Sequence, residues 1–299
     1  SETLAHLQDP ARRPPQLSRP LPAGVDDALP GPRLNCKRFL ECVRSARRGA
    51  AAGPSSAKAE HLKALLDNET AMELLGYAAA ALASARVPEP VVQAMALCKL
   101  TALQKPGGGV RGIATGDVFR RLVTRALAQQ YSQKFAADTA PYQFALTTRA
   151  GTDCAALALR AMADHDADAV LISIDGVGAF GHVSRASFFE QLLGNPLLTS
   201  LVPFVRQWYG HQSTYLRCDD GGTVHDIAQG EGVEQGDALA PALFSLAQHP
   251  ALVEAAAALR PEDRVLAFLD DIYVRTTREH ARQAFNLTTA AVRRTANID

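Results

Sequence analysis

Three aspartates stand where carboxylates are costly. Asp175 follows the apolar run Val170-Leu171-Ile172-Ser173-Ile174, and Asp270-Asp271 lies between Val265-Leu266-Ala267-Phe268-Leu269 and Ile272-Tyr273-Val274. A charged side chain at the end of a buried strand needs a partner or a metal ion. Neighbouring carboxylates repel each other, and a divalent cation allows both to stay ionised. Capping a turn is the plain alternative for any Asp. It suits Asp219-Asp220, which precedes the turn residues Gly221-Gly222. It suits Asp270-Asp271 poorly, because apolar strand residues continue on both sides. Oxygen-only ligands, with no His or Cys adjacent in sequence, favour Mg²⁺ over zinc. Two such ions about 3.5–4 Å apart activate an attacking hydroxyl and stabilise a leaving oxygen. The chemistry indicated is phosphoryl transfer.

Strands must bring these carboxylates together across the chain. Ala169–Ile174 reads as one buried strand, and residues 265–268 and 272–274 as two short ones around Leu269-Asp270-Asp271. Residues 95–103 and 110–114 read as a basic hairpin turning through Pro106-Gly107-Gly108-Gly109. Helices are expected over residues 36–48, 71–85, 116–134, 152–164, 184–193, 198–209 and 240–259, with a last one starting near Arg278. Gly53-Pro54-Ser55-Ser56 is expected to break the chain and cap a further helix, with Glu60 in capping-box position. A second hairpin should turn at Asp219-Asp220-Gly221-Gly222. Residues 8–33 hold seven prolines and few large apolar side chains, which predicts an extended or disordered leader without a core.

The 299 residues carry 31 Lys plus Arg against 31 Asp plus Glu, with 47% apolar and 6% aromatic residues. Disorder over the whole chain is excluded, and the apolar content is enough for a core. No window approaches eighteen consecutive apolar residues, and residues 1–10 lack the regions of a secretory signal, so an intracellular protein with no membrane partner is expected. Five cysteines without a Cys-x-x-Cys pair read as reduced and structural. Zero net charge argues against a general nucleic-acid binder, but the charge is unevenly spread. Residues 1–58 hold ten Lys/Arg and five Asp/Glu, and residues 99–134 hold seven and one. Arg44, Arg47 and Arg48 read as a solvated helix face. The second run surrounds a glycine turn and suits a phosphate backbone.

Several segments follow one another in an order more specific than any one of them. Gly53-Pro54 precedes a helix. Lys105-Pro106-Gly107-Gly108-Gly109-Val110-Arg111-Gly112-Ile113 is similar to K-P-x-G-x-x-R-P-I, and Gln143 to Gly151 is similar to Q-x-x-x-x-x-x-x-G. Asp175-Gly176-Val177-Gly178-Ala179-Phe180 is similar to D-x-x-x-A-F. Gln235-Gly236-Asp237-Ala238-Leu239-Ala240-Pro241-Ala242-Leu243-Phe244 is similar to Q-G-x-x-L-x-P-x-L-F, and Phe268-Leu269-Asp270-Asp271 to F/Y-x-D-D. Together, from about Gly53 to the last residue, they resemble the reverse transcriptases of non-LTR retrotransposon type. Gly181, Gly112 and Ala238 depart from that family's usual residues, and none of the departures removes a metal ligand.

The resemblance implies an α+β fold of right-hand polymerase type, fingers and palm, with an antiparallel palm sheet packed on helices and no thumb. Residues 1–33 would be a Pro-rich disordered leader, 34–168 the fingers and N-terminal helices, and 169–299 the palm. The family's lysine-bearing palm motif, primer grip and thumb would follow Asp299, so the chain is expected to be a piece of a longer polyprotein. The implied activity is RNA-directed DNA polymerisation: a DNA primer 3′-hydroxyl attacks the α-phosphate of a dNTP on an RNA template, with two Mg²⁺ ions or Mn²⁺ in their place. Asp175 and Asp270 would be the metal ligands, with Asp271 completing the cluster and the Gly176 carbonyl beside it. Lys105 and Arg111 would close over the triphosphate, which a guanidinium fork suits. Gln235 and Gly236 would contact the nucleotide, the glycine allowing close backbone approach. Phe180 stands where the family places the aromatic that blocks a ribose 2′-hydroxyl, and on the residues alone core packing is an equal alternative. An inactive polymerase-like fold serving as a nucleic-acid-binding or interaction module also stays open. Another two-metal phosphotransferase would not need Lys105, Arg111 or Gln235-Gly236. Three spatial expectations follow. The aspartates should meet at one antiparallel sheet, close enough to share Mg²⁺. The hairpin tip should be exposed and face them across a cleft. Residues 1–33 should make few core contacts.

Overall fold

A computed structural model describes residues 2–106, 108–164 and 166–299. Gly107 of the expected hairpin tip lies outside the described residues. In chain order, the first half contains helices α1 (Glu2–Gln8), α2 (Cys36–Arg44), α3 (Ala59–Lys63), α4 (Glu69–Ala83) and α5 (Glu89–Ala96), then strands β1 (Cys98–Gln104) and β2 (Val110–Thr115), then α6 (Val118–Thr139) and α7 (Gly151–Asp164). The second half contains β3 (Ala169–Ile174), α8 (Ala179–His182), α9 (Arg185–Gly194), α10 (Val202–Tyr209), β4 (Ser213–Cys218), β5 (Val224–Gln229), α11 (Ala240–Ala258), β6 (Arg264–Phe268), β7 (Asp271–Thr277) and α12 (Ala281–Ala296). No described helix is long and apolar enough to cross a membrane. All five cysteines are free thiols; Cys42 and Cys98 are buried, whereas Cys36 and Cys218 are exposed.

The strands form two sheets in an α+β fold. The antiparallel sheet β3-β7-β6 is packed against α7 and α12, as the resemblance implied. The other sheet has the order β2-β1-β4-β5 and is antiparallel except for the β1–β4 pair. Ala-rich α11 is apolar on most of its circumference, so it is buried rather than surface-lying. It packs against α6, α9 and α12 in a main core running from Val25 to Ile298. A second cluster (Leu7, Cys98, Leu100, Ala114, Tyr215, Ile227) lies between α1 and the four-stranded sheet.

Several expectations are corrected. The β4–β5 hairpin, in the half assigned to the palm, extends the β1–β2 sheet, so one sheet draws strands from both sides of residue 168. Local pattern fixes a hairpin but not the edge it joins. The strand expected from residue 95 begins at Cys98, because α5 continues through Ala96. Glu60 does not close a capping box with the serines: it accepts from Gly49 N at 2.6 Å, while the Ser55 hydroxyl donates to Asp117. The Asp219 turn forms as expected, with Asp219 accepting from Gly221 N and Thr223 N.

The disordered leader is also overturned. Residues 2–8 form α1, and the stretch after it is an extended strap with buried contacts. Leu7 and Val25 are buried in the two clusters. Gly230 N donates to Pro14 O at 2.7 Å, Ser18 N donates to the Glu231 carboxylate at 2.6 Å, and Arg19 pairs with Glu190 at 2.7 Å. Proline density blocks helix continuation but leaves every carbonyl free to accept, and the Ser18 amide finds its acceptor on the folded body. Glu231 is fully buried and also takes the Arg185 amide. Replacing Glu231 by Gln removes the charge that strengthens the Ser18 bond. Hydrogen-exchange mass spectrometry should then show protection at Ser18 falling by about tenfold or more while β3 and β7 are unchanged. Equal protection in both proteins would show that Glu231 does not hold the strap.

Candidate active site

The carboxylates lie at one end of the β3-β7-β6 sheet. Ile174 is opposite Ile272, so one further step in the same register sets Asp175 opposite Asp271, with Asp270 in the turn before it. That turn requires Leu269 at φ +55°, a left-handed conformation that disfavours a branched side chain. Gln143 compensates. Its Oε1 accepts from Leu269 N at 2.8 Å, and its Nε2 donates to Leu269 O at 3.4 Å. The flanking backbone joins in, with Ala267 N donating to Tyr142 O at 2.8 Å and Phe144 N to Ala267 O at 2.9 Å. Gly151 completes the motif, because a Cβ there would stand 2.2 Å from Phe144 O. The Gln143 to Gly151 spacing therefore clamps the turn that carries Asp270. Sequence reading marked the segment without giving Gln143 a role; the signal was an amide set between Tyr142 and Phe144.

Asp175 and Asp270 line a cleft of about 370 Å³ together with Gly176, Phe180, Gln235, Lys105 and Arg111. Asp271, opposite Asp175 in the sheet register, does not line it. Partial burial, and then the charges of Asp270 and Asp175, push the Asp271 carboxyl above its ordinary value. Among the described residues, no group of three or more His, Cys, Asp or Glu side chains is arranged to hold a metal ion. The donor set still fits a hard divalent cation, being all oxygen and mutually repulsive. Lys105 and Arg111 are exposed on the facing hairpin, as is the described part of its tip.

The loop after Asp175 is held from both sides. Val177 N donates to Asp299 O at 2.8 Å, and Val233 N donates to Phe180 O at 2.8 Å. The half-buried ring of Phe180 stacks on Phe244 with centroids 4.6 Å apart and also lines the cleft. Gly236 adopts φ +153°, and a Cβ there would reach Ala114 O at 2.5 Å. No other residue type fits this close crossing of two backbones.

Beneath Gln235 lies a buried ionic network that sequence reading missed. The Arg120 guanidinium is 2.8 Å from Glu234, 3.7 Å from Asp237 and 4.3 Å from the Trp208 ring centroid. Tyr209 donates its hydroxyl proton to Asp237 at 2.8 Å. Burial is the largest single influence and opposes the charge on Arg120, yet Glu234, Cys98 and Asp237 together outweigh it and raise the guanidinium above its ordinary value. Glu234 and Asp237 flank Gln235-Gly236, so the network fixes the loop that lines the cleft. An arginine inside the apolar face of α6 was the only available signal.

Residues 103–296 match the family model described as reverse transcriptase (RNA-dependent DNA polymerase). Among solved structures, apo telomerase from Candida tropicalis truncated from the C-terminal domain is similar, with 14% sequence identity and a TM-score of 0.48. The match covers 69% of this chain and 49% of that one, so this chain spans about half the length of that telomerase. No curated protein matches the chain.

Gln143→Ala should cost about 1–3 kcal/mol of stability, the range for leaving buried hydrogen-bonding groups unpaired. Its local signature is faster exchange at the Leu269 amide than at β3 amides. Exchange at Leu269 equal to wild type would separate Gln143 from the turn.

Proposed function

The chain belongs to the reverse transcriptase family, and we propose that it is an RNA-directed DNA polymerase of the non-LTR retrotransposon kind, joining dNTPs to a DNA primer on an RNA template. The observation that carries this is the division of charge across one cleft: Asp175 and Asp270 on one wall, Lys105 and Arg111 on the other. Asp175 and Asp270, with Asp271 beside them, would hold divalent cations, Mg²⁺ or Mn²⁺, which lower the pKa of a bound hydroxyl and stabilise a leaving oxygen. Lys105 and Arg111 bind the triphosphate and neutralise the charge that develops on departing pyrophosphate. Gln235 contacts the nucleotide, held in place by the network around Arg120. Phe180, braced by Phe244, would exclude a ribose 2′-hydroxyl. The protein's contribution is positioning and fixed electrostatics. Free thiols fit an intracellular setting. A second reading, an inactive polymerase fold that binds nucleic acid, draws on the arrangement of the carboxylates, which among the described residues form no group of three suited to a metal ion.

Primer extension on an RNA template with dNTPs and Mg²⁺ decides between them. The wild-type chain should extend the primer, and Asp175→Asn should reduce the rate by about a hundredfold or more with its thermal midpoint kept. RNA binding without extension would favour the inactive fold.

Phe180→Ala separates two roles of one ring. A steric block predicts a larger gain in rNTP use than loss in dNTP use. A core role alone predicts destabilisation approaching about 3–5 kcal/mol with an unchanged dNTP to rNTP ratio. The half-buried ring predicts some destabilisation together with a shifted ratio, measured as paired incorporation rates and thermal midpoints.

A further inference from the structure

The strap between α1 and α2 brings a cation into the cleft from outside residues 103–296. Arg13 lines the same cleft as Asp175, Asp270, Lys105 and Arg111. Its Nη1 donates to Gln229 Oε1, and its guanidinium lies 5.3 Å from the Tyr215 ring centroid. Among the described residues, no carboxylate stands within ion-pair distance of it. Its neighbours along the strap differ, since Arg12 pairs with Asp9 at 3.2 Å and Arg19 with Glu190 at 2.7 Å. The fully buried Arg185 differs too, because Gly232 O, His211 O and Ser213 Oγ accept from its three nitrogens. Burial pulls the Arg13 pKa down, as expected for a cation withdrawn from water without a counter-charge. A guanidinium has five N–H donors, and here one neutral amide oxygen accepts from them.

Gly112 supplies an independent observation. It stands where the K-P-x-G-x-x-R-P-I pattern has proline, and a Cβ there would fall 2.6 Å from Arg13 Nη2 and 3.1 Å from Leu7 Cδ2. The departure from the pattern is therefore the space that Arg13 occupies. At about 370 Å³ the cleft has the size of a small-molecule site rather than of a channel for a strand.

We propose that Arg13 is an anion-binding residue of this cleft, giving its free guanidinium edge to phosphate oxygens of a nucleotide polyphosphate alongside Lys105 and Arg111. The proposal rests on the cleft being the nucleotide site. A guanidinium fork reads such oxygens in pairs, which an ammonium cannot do.

The test is equilibrium binding to the full chain by calorimetry, without divalent cations, using inorganic tripolyphosphate, dATP, deoxyadenosine and a short single-stranded RNA as separate probes. Arg13→Met keeps the apolar stem over Tyr215, and should weaken tripolyphosphate and dATP binding about tenfold or more, the range for a charge-assisted hydrogen bond, while leaving deoxyadenosine unchanged. Arg13→Lys should recover part of the loss, and Arg19→Ala should leave all four probes as in wild type. Gly112→Ala, which crowds Nη2, should weaken tripolyphosphate in the same direction. Unchanged tripolyphosphate binding in Arg13→Met, or a loss confined to RNA, would overturn the proposal. So would a loss that follows a fallen thermal midpoint and is not eased by Arg13→Lys. Primer extension is scored apart. Arg13-dependent tripolyphosphate binding in a chain that extends no primer keeps the anion site and removes the polymerase reading. Extension combined with Arg13-independent binding does the reverse.

Discussion

The buried contact of Arg120 with Glu234 and Asp237 constrains everything around the cleft. Two carboxylates away from water share the one guanidinium, and removing Arg120 leaves them uncompensated at a cost of about 3–5 kcal/mol. The network joins α6, α10 through Trp208 and Tyr209, β1 through Cys98, and the segment entering α11. The Gln235-Gly236 loop therefore cannot drift from the sheet, and Gly236 is pressed against Ala114 O. One wall of the cleft is fixed by electrostatics that never reach the solvent.

The opposite wall is fixed by backbone geometry. Asp270 sits after a left-handed Leu269, and the strain of that residue is borne by Gln143 and by the crossing of residues 142–144 over β6. The loop after Asp175 is tied down by the residues following α12, with Val177 N bonded to Asp299 O and Asn297 Nδ2 donating to His182 O at 2.9 Å. Gly176 has room only for hydrogen, since a Cβ would meet Ile298 at 2.6 Å. Rigid supports thus hold carboxylates that repel one another. The neutral net charge of the chain conceals this arrangement, because the cleft's acidic residues Asp175 and Asp270 and its basic residues Lys105 and Arg111 come from different sheets.

Much of this was legible in the sequence because it is local. An apolar β-branched run ending in Asp marks a strand end, a Gly-rich reversal between basic strands marks a hairpin, and Asp219 before Gly221-Gly222 marks a turn. The order of the segments identified the family, and five of the six residues expected beside the nucleotide line one cleft with two of the three aspartates: Lys105, Arg111, Gly176, Phe180 and Gln235. Proline density in residues 8–33 misled, because it forbids helix without forbidding burial.

What the sequence determined by itself was which residue types stand at strand ends and turns, since backbone propensity and side-chain alternation act over a few positions. Tertiary structure alone decided which edges pair, which is why β4 runs parallel to β1 and the hairpin of the second half extends the sheet of the first. It alone brought Gln143 to Leu269, Arg120 to Glu234, and Arg13 into the space left by Gly112. Each of these contacts joins positions far apart in the chain through one polar group whose burial makes a partner obligatory. No periodicity marks such a group, because its partner is chosen by the packing of the apolar surface around it.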